Sequence, residues 1–570
     1  RLSLVGSEMC IRDRYIWMLG LSSLFAMNSC GEDFLDVDHY DILQPEIMFT
    51  SEDFVNQGLN GLYDTFLPLS TGSEDIEKNW NIKPHLAFSN YPALDCQADG
   101  WDNEFTRHAW LADKDMFKVA WQYAYRAISR ANTFLEQLKE AEVAIFAEGQ
   151  TGKDKIEAQA RAIRGYWYYY LAQNFGRVPM LKEGETYVNT PSKPRAESLD
   201  ETYDFIISDL SYAAEHLDWI PENGDYGRIT KGMAMSYEAL TYMYKKDFTS
   251  AKALLKDIID HGPYELTPCY GEIHQFDNYW SKESVWEVSF LHWGNLDWSA
   301  NSTTDDIWWG TYLTAASEYG GWGALYISHE FARSFEPGDK RRQYSIVCKG
   351  ETQPYTGEVI GATEGREGDF VGSENMPNNY SIKLWKGKAG NPVYTPISAF
   401  HLRYAAVLLN YAECCFQTEG ADSSEGWNQI KMIRDRAWGN MEVGRSPIDN
   451  FPFEFNHSTI EVPDAKAYYT QYRVDKGYTS DVWKVALTIE RRHEFLAEYS
   501  FWYDLCRSEM AKEFLECEYP QNNGQRYNTD GEPCTPRTFS FDSNRMLYPI
   551  PTQEILTNAA ISQADQNPGY

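Results

Sequence analysis

The amino-acid sequence predicts a mainly α-helical protein in which helical repeats pack against an irregular, loop-rich region that binds a ligand. Two observations support this fold class. Large parts of the chain place apolar residues at helical spacing. Residues 265–395 instead lose that spacing and gain Gly, Asn, Ser, Thr, Asp and Trp. Long loops without regular elements are usually functional or disordered, and so many aromatic residues argue against disorder.

Three segments carry the apolar spacing or the end signals of helices. Residues 114–140 place apolar side chains close to helical spacing, and residues 157–180 carry aromatic rings nearly all round. A helix that is aromatic on every side is expected to lie between neighbouring helices. Residues 198–217 begin with Ser198 and Glu201 at the spacing of a capping box.

Residues 229–262 predict two helices joined around Lys246, and this pair resembles a tetratricopeptide unit. Such a unit cannot bury its apolar face alone, so further helix pairs must stack on it. The sequence offers two such pairs, namely 157–175 with 198–217 and 400–418 with 424–438.

Charge and cysteine usage exclude several classes of protein. The chain has 570 residues and a formal charge of −33, and an acidic surface repels phosphate groups. Nucleic acid and anionic lipid headgroups are therefore not expected as direct partners. The ten cysteines form no C-x-x-C pair and no zinc spacing, so no metal or cofactor is predicted. Cys414 and Cys415 lie in an apolar helical run and are expected to be small buried hydrophobic residues.

The sequence gives little support for catalysis. HEFLAE at 493–498 differs from the zinc-protease pattern H-E-x-x-H, and neither G-x-S-x-G nor a phosphate-binding glycine motif is present. Sequence alone cannot identify a glycosidase carboxylate pair among 84 acidic residues. We therefore predict a binding protein and not an enzyme.

The beginning of the chain has the features of a lipoprotein signal. Residues 1–14 resemble a translated sequencing adapter and are set aside as non-native. Residues 15–29 are apolar, too short to span a bilayer, and fit a secretory signal. They end just before Cys30, which would become the lipidated first residue of the mature protein. This pattern predicts a chain that is anchored to a membrane by lipid alone.

Several segments resemble the SusD/RagB family of outer-membrane nutrient-binding lipoproteins. CGEDFLDVD, which begins at Cys30, resembles the lipidated start of the family. AFHLRYAAVLLNYAECC (399–415) resembles one of its helices, with Ala406 where Glu is usual. IERRHEFLAEYSFWYDLCR (489–507) resembles its E-R-R-x-E segment, within a predicted long helical run over 483–510. Further matches are ARAIRGYWYYYLAQNFGRVPM (160–180), GRITKGMAMSYEALTYMY (227–244) and the closing YPIPTQEI and QNPGY.

The resemblance implies a SusD-like fold with four tetratricopeptide-like units on one side and an irregular ligand-binding region on the other. It divides the mature chain into residues 30–264 and 265–570. It also implies that the protein captures glycans or other nutrients at the cell surface and delivers them to a SusC-type TonB-dependent transporter. QNPGY is expected to dock on the body of the protein. Five charged residues are spaced for structural ion pairs on adjacent helical turns, namely Glu490, Arg491, Arg492, Glu494 and Glu498.

A tryptophan-rich segment within residues 280–323 is the main candidate for the ligand site. Residues 293–309 read WGNLDWSANSTTDDIWW and place four tryptophans among residues typical of loops. A flat indole covers the C–H face of a sugar, while Asn and Asp bind its hydroxyls. The predicted contacts are Trp293, Trp298, Trp308, Trp309, Tyr319 and Trp322. Trp286 lies in the alternating run VWEVSF and is expected in a buried strand instead.

In the family, a loop that follows the first helices completes the site, and here that loop includes residues 90–105. The contacts predicted from it are Trp101, Asp95, Asp99 and Asn103. The same loop superficially resembles a calcium loop, but Thr106 stands where the final Glu should be. Calcium is therefore not predicted.

Two other binding functions stay open on the sequence alone. A peptide receptor of the RagB type would suit the acidic chain if its peptides were cationic. A tetratricopeptide scaffold that binds only protein would leave the tryptophans without a ligand role. Trp interleaved with Asn and Asp favours an oligosaccharide.

Overall fold

The computed structural model describes residues 48–66, 82–97, 102–221, 224–275, 278–289, 314–315, 319, 321, 325–361, 379–386, 398–442, 446, 448, 451–454, 457–519, 526–527, 533–534 and 541–570. Within these residues the chain forms seventeen α-helices: α1 (Glu52–Tyr63), α2 (Ile82–Asn90), α3 (Asn103–Thr106), α4 (Asp115–Glu140), α5 (Gln150–Phe175), α6 (Leu199–His216), α7 (Lys231–Tyr244), α8 (Phe248–His261), α9 (His329–Ala332), α10 (Arg341–Ser345), α11 (Tyr404–Glu419), α12 (Ser424–Ala437), α13 (Ala465–Lys476), α14 (Val482–Glu494), α15 (Phe501–Arg507), α16 (Ala511–Glu518) and α17 (Thr552–Thr557).

The same residues form eight short strands: β1 (Cys96–Gln97), β2 (Ser284–Val288), β3 (Tyr326–Ile327), β4 (Ile346–Cys348), β5 (Asn379–Ser381), β6 (Ala399–Arg403), β7 (Arg526–Tyr527) and β8 (Pro533–Cys534). They are arranged as one four-stranded sheet in the order β1-β3-β5-β4 and as two antiparallel pairs, β2-β6 and β7-β8. The protein is therefore mainly helical, as the sequence predicts.

The helices that the sequence predicts form a continuous stack. Helix α4 packs on α5, α5 on α6, α6 on α7, α7 on α8, α8 on α11 and α11 on α12. The three predicted helix pairs are all present in this stack. Helix α5 lies between several neighbours, so its aromatic residues are buried on every side, namely Tyr166, Trp167, Tyr168, Tyr169 and Tyr170.

Local signals set the ends of these helices. The Ser198 side chain accepts a hydrogen bond from the backbone N–H of Glu201 at 3.1 Å, which starts α6 as the capping pattern predicts. The Glu201 carboxylate binds the N–H of Glu197, one residue earlier than a capping box requires. Lys246 has a left-handed backbone at φ 62° after α7, and Asp247 then caps α8 by accepting from Ser250 N at 3.1 Å.

Two predicted helices begin or end differently in the structure. Residues 399–403, predicted as the start of a helix, form β6 and pair with β2, and α11 starts at Tyr404. The run predicted as one helix over 483–510 is broken between α14 and α15. Ala497 has a left-handed backbone at φ 57° in this break. The break turns Glu498 inward, where its carboxylate pairs with Arg403 and Lys383 at 2.8 Å each.

One hydrophobic core extends from α1 to the segment that contains Tyr548 and Ile550. Trp286 on β2 is 1% exposed and packs edge-on against Phe66, Tyr166 and Tyr237, so the predicted buried strand is confirmed. Both Cys414 and Cys415 are fully buried, as expected. No helix among the described residues is long and apolar enough to span a membrane.

The charged residues of α14 form structural ion pairs, but their partners lie on other elements and not on adjacent turns. Glu490 binds Arg434 at 2.8 Å and Arg341 at 2.9 Å. Glu494 binds Arg403 at 2.7 Å and also contacts Arg436. Burial alone would raise the pKa of Glu494, but the neighbouring arginines outweigh it and lower that pKa to about 2. The network ties α14 to β6, α10 and α12.

The C-terminal QNPGY segment docks on the body of the protein, as predicted. The side-chain amide of Asn567 donates to Phe175 O at 2.9 Å and to Tyr548 O at 2.7 Å. The Tyr570 hydroxyl accepts from the indole N–H of Trp110 at 2.5 Å. The last residues therefore hold α5 against the closing segment of the chain.

Candidate functional site

The four-stranded sheet brings the two predicted binding segments together. Strand β1 leads directly into residues 98–101, and β3 directly follows residues 322–324. The two strands are antiparallel neighbours, with Cys96 opposite Ile327 and Gln97 opposite Tyr326. In sequence these strands are more than 200 residues apart. A strand within the predicted loop 90–105 and the strand that follows the tryptophan-rich segment are therefore neighbours in one sheet.

One face of this sheet is aromatic. Gln97, Tyr326, Tyr380 and Val347 form one row across the four strands, so their side chains share a face. The ring of Tyr326 lies 5.4 Å from that of Tyr380, and Trp385 packs edge-on against Tyr380 at 5.7 Å. These residues form a small cluster of their own, separate from the main core.

Tyr319 is the described member of the tryptophan-rich segment that was predicted to contact ligand, and it lies on this cluster. Its ring packs on Trp385 at 5.3 Å and is partly buried. Its hydroxyl donates to Val359 O and accepts from Gly361 N, each at 3.1 Å. The hydroxyl is thus occupied by backbone, and the exposed part of the ring is what Tyr319 can offer a ligand.

Gln97 has an unsatisfied hydrogen-bonding group at this place. Its side chain is 3% exposed, and its Nε2 makes no hydrogen bond within the part of the chain that the structure describes. Leaving a buried N–H group unpaired costs on the order of 1–3 kcal/mol, so such groups are uncommon in folded proteins. Protein atoms cover this donor as they cover Asp95, so a ligand hydroxyl would reach it only if neighbouring side chains moved. Sequence reasoning missed Gln97, and its only signal was its place within the predicted loop.

Asp95 is a correction to the predicted set of ligand contacts. The residue is 3% exposed, and its Oδ1 accepts from Arg492 Nε at 2.9 Å and Nη2 at 2.7 Å. The Tyr519 hydroxyl binds the same oxygen. A carboxylate so enclosed has no surface for a ligand, and its role is to hold β1 against α14.

Asn103 is half-buried at the start of α3, and its side chain makes no hydrogen bond to any described residue. The remaining predicted contacts lie outside the described residues and stay predictions, namely Trp101, Asp99, Trp293, Trp298, Trp308, Trp309 and Trp322. Cys30, the predicted lipidation site, also lies outside them.

A buried lysine adjoins the aromatic cluster. Lys386 is 5% exposed, and its Nζ lies 2.8 Å from the Tyr355 hydroxyl, which also accepts from Gln275 Nε2 at 2.7 Å. Burial, reinforced by nearby Lys383, holds the pKa of Lys386 well below its usual value. Nothing in the sequence pattern had marked this lysine.

Among the described residues, one group places metal-ligating atoms close together: Cys415, Glu419 and Glu425, within 4.8 Å. The ammonium of Lys252 already contacts both carboxylates, at 3.7 Å from Glu425. Burial raises the pKa of Cys415 to about 11, which opposes the thiolate that a metal requires. We interpret this group as an ion-pair cluster in which Lys252 compensates the charge of the two carboxylates.

Comparison with known proteins agrees with this geometry. The model of the SusD family matches residues 282–570, and a second model, described as starch-binding and associating with the outer membrane, matches residues 33–243. The chain therefore belongs to the SusD family. Members of this family are carbohydrate-binding proteins and not enzymes, and the description of the second model associates them with the outer membrane.

Individual relatives are distant in sequence but similar over their whole length. A SusD-like protein from Formosa agariphila, called P2, is 23% identical over 96% of this chain and 98% of its own. A SusD homologue from Bacteroides thetaiotaomicron has a TM-score of 0.68 at 19% identity, over 93% of this chain and 99% of that one. A laminarin-binding SusD-like protein has a TM-score of 0.62 at 20% identity, over 91% and 100%. At these identities the structural likeness shows a shared fold.

Proposed function

We propose that this protein captures an oligosaccharide at the cell surface and delivers it to a SusC-type TonB-dependent transporter of the outer membrane. The observation that supports the proposal is the pairing of β1 with β3, because these strands adjoin the two predicted ligand-contacting segments. A relative of the same fold that binds laminarin adds support for a glucan or similar glycan.

In this proposal the aromatic rings and the polar groups have separate tasks. The indoles of Trp293, Trp298, Trp308, Trp309, Trp322 and Trp101 cover sugar faces, together with the ring of Tyr319. Gln97 and Asn103 supply hydrogen-bond donors and acceptors for the hydroxyls, joined by Asp99. Open aromatic surfaces give weak affinity, on the order of 10 µM to 1 mM, equivalent to about −7 to −4 kcal/mol. Closure against the transporter would then add retention, because the second contact is intramolecular.

Anchoring follows from the predicted lipidation of Cys30. A lipid on that residue would hold the protein to the membrane without a spanning helix. Metabolic labelling with a radioactive fatty acid tests this step: the wild type should be labelled, and a Cys30→Ala variant should be neither labelled nor membrane-bound. Labelling that persists in the variant would contradict it.

Ligand binding is tested by affinity electrophoresis through gels that contain single polysaccharides, with laminarin, xyloglucan and starch as the first panel. Retardation of the wild type, lost in a Trp298→Ala/Trp308→Ala/Trp309→Ala variant, is the expected result. Tyr187→Ala is the matched control, because Tyr187 is 51% exposed and lies on another surface. Calorimetry with cationic peptides distinguishes the receptor alternative: peptide binding without any carbohydrate signal would overturn the proposal.

Delivery is tested in cells. The protein should co-purify with an outer-membrane transporter encoded beside it, and deletion of either gene should stop growth on the bound glycan. Growth that is unaffected by loss of the transporter would show that delivery takes another route.

A further inference from the structure

An exposed aromatic pair lies away from the four-stranded sheet, shortly before the start of β2. Tyr226 is 57% exposed, and its ring is nearly parallel to the indole of Trp280, with an interplanar angle of 26° and centroids 6.4 Å apart. Trp280 is half-buried. The two neighbouring rings form a platform in which Trp280 packs against the main core and Tyr226 is largely exposed.

The backbone is built to hold Trp280 in this position. Its φ is 51°, a left-handed conformation that a bulky residue adopts only at a cost and that the surroundings must enforce. The Trp280 N–H donates to Oε1 of the buried Glu287 at 2.8 Å. Gly227 lies beside the indole and has a φ of 109°, a backbone conformation that residues other than glycine rarely adopt. Strain of this kind is a common mark of a functional position.

Polar groups border the two rings. Arg228 donates from Nε to Asp225 Oδ2 at 2.8 Å and from Nη2 to Asn60 Oδ1 at 2.7 Å. Both Asp225 and Asn60 are exposed, so each keeps free hydrogen-bonding capacity toward solvent. An aromatic platform edged by a carboxylate and an amide suits the C–H face and the hydroxyls of a sugar ring.

We propose that Tyr226 and Trp280 form a second carbohydrate-contacting surface, which binds pyranose rings of a long glycan chain. The inference rests on the proposed function. Strand β2 has five residues and spans about 17 Å, and in the chain it lies between Trp280 and the four tryptophans of residues 293–309. In this proposal a disaccharide reaches one surface at a time. A polysaccharide can occupy both, and the second contact then raises retention through effective concentration.

The experiment compares polysaccharide and disaccharide binding in matched variants. Tyr226→Ala removes an exposed ring, and Trp280→Gly removes the indole while allowing the positive φ. Tyr187→Ala is the control, because that tyrosine is 51% exposed and belongs to neither proposed surface. In affinity electrophoresis with laminarin, xyloglucan and starch, both variants should bind the retained polysaccharide about fivefold more weakly than wild type, equivalent to about 1 kcal/mol. By calorimetry, their affinity for the corresponding disaccharide should equal that of wild type.

Thermal unfolding of each variant, followed by circular dichroism, shows whether a loss of binding reflects a loss of fold. Polysaccharide retention equal to wild type in both folded variants would overturn the second surface while leaving the proposed function intact. An equal loss of disaccharide binding would also overturn it, since the rings would then belong to the main site. A wild type that binds no polysaccharide would overturn the proposed function, and this inference with it.

Discussion

Arg403 Nη1 donates a hydrogen bond to Glu494 Oε1 at 2.7 Å, and both side chains are at most 1% exposed. The same guanidinium binds Glu498 through Nε at 2.8 Å and Glu283 through Nη1 at 2.7 Å. A single arginine thus compensates three buried carboxylates. It also joins the strand that precedes α11 to the break after α14.

The first prediction concerns this arginine. Arg403→Met leaves the buried carboxylates of Glu283, Glu494 and Glu498 undercompensated, so the free energy of unfolding should fall by about 3–5 kcal/mol. Urea denaturation followed by circular dichroism measures it. Lys282→Met is the control, because the Lys282–Glu265 pair is two-thirds exposed, at 66% for each side chain, and its loss should change stability by less than about 0.5 kcal/mol. Equal effects in the two variants would contradict the structural role of the network.

The second prediction concerns acid stability. Burial lowers the pKa of His108 to about 3, and its Nε2 bonds Pro92 O at 2.9 Å. The unfolded chain takes up this proton near pH 6.5 and the folded protein does not, so stability falls as pH drops below that value. The loss from this residue should be about 1.4 kcal/mol per pH unit down to about pH 4.

His108→Gln tests this contribution, because a glutamine can keep the donor to Pro92 O and cannot take up a proton. Urea denaturation at a series of pH values between 7.5 and 4.5 should give a flatter profile for the variant than for the wild type. Parallel profiles would show that His108 does not titrate on unfolding. Burial also lowers the pKa of His274, to about 4. The stability of the variant should therefore still fall as pH drops, but less steeply than that of the wild type.

The third prediction separates binding from stability at Gln97. Gln97→Met removes a buried N–H group that makes no hydrogen bond to any described residue, so the free energy of unfolding should stay level or rise by about 1 kcal/mol. Affinity for the retained polysaccharide should fall roughly tenfold, because one hydrogen bond to a sugar hydroxyl is lost. Unchanged affinity would remove Gln97 from the site.

Asn174→Leu is the matched control for Gln97, because Asn174 is a buried amide with both groups satisfied. Its Nδ2 donates to Tyr170 O and its Oδ1 accepts from the Tyr503 hydroxyl, each at 2.8 Å. The control should lose about 1–3 kcal/mol of stability and keep its ligand affinity.

The fourth prediction concerns the C-terminal segment. Asn567→Ala removes three hydrogen bonds, so stability should fall by about 1–3 kcal/mol. The amide donates two of them, to Phe175 O and Tyr548 O, and its oxygen accepts the third from Arg195. Differential scanning calorimetry measures the shift in Tm. Gln563→Ala, which alters a side chain on the exposed surface of the same segment, should leave the Tm unchanged. A Tm unaltered in both variants would mean that the segment does not stabilise the body.

Local pattern was enough to predict the parts of the fold that local forces determine. Helices α4, α6, α7 and α8 appear where apolar spacing and caps placed them, and Trp286 is buried as its alternating run indicated. These features depend on residues a few positions apart. The resemblance correctly gave the family and the mainly helical fold class.

Features that depend on distant residues could not be read from the sequence. Asp95 has the appearance of a loop carboxylate, but its partner Arg492 is 397 positions away and buries it. The break between α14 and α15 brings Glu498 into contact with Arg403 and Lys383. The helical periodicity of the local sequence gives no sign of these distant partners. Gln97 lies opposite Tyr326 because β1 pairs with β3, and the sequence does not indicate that pairing.

The strands on either side of the segment between β2 and β3 belong to different sheets. Strand β2, before the segment, pairs with β6, and β3, after it, pairs with β1 and β5. If this stretch determines ligand specificity, as we propose, that specificity is separable from the helical stack. Substitutions, insertions or whole segments taken from relatives could be grafted between Val288 and Tyr326 with the two anchors retained. The choice of ligand could then change without altering the stability of the helical stack.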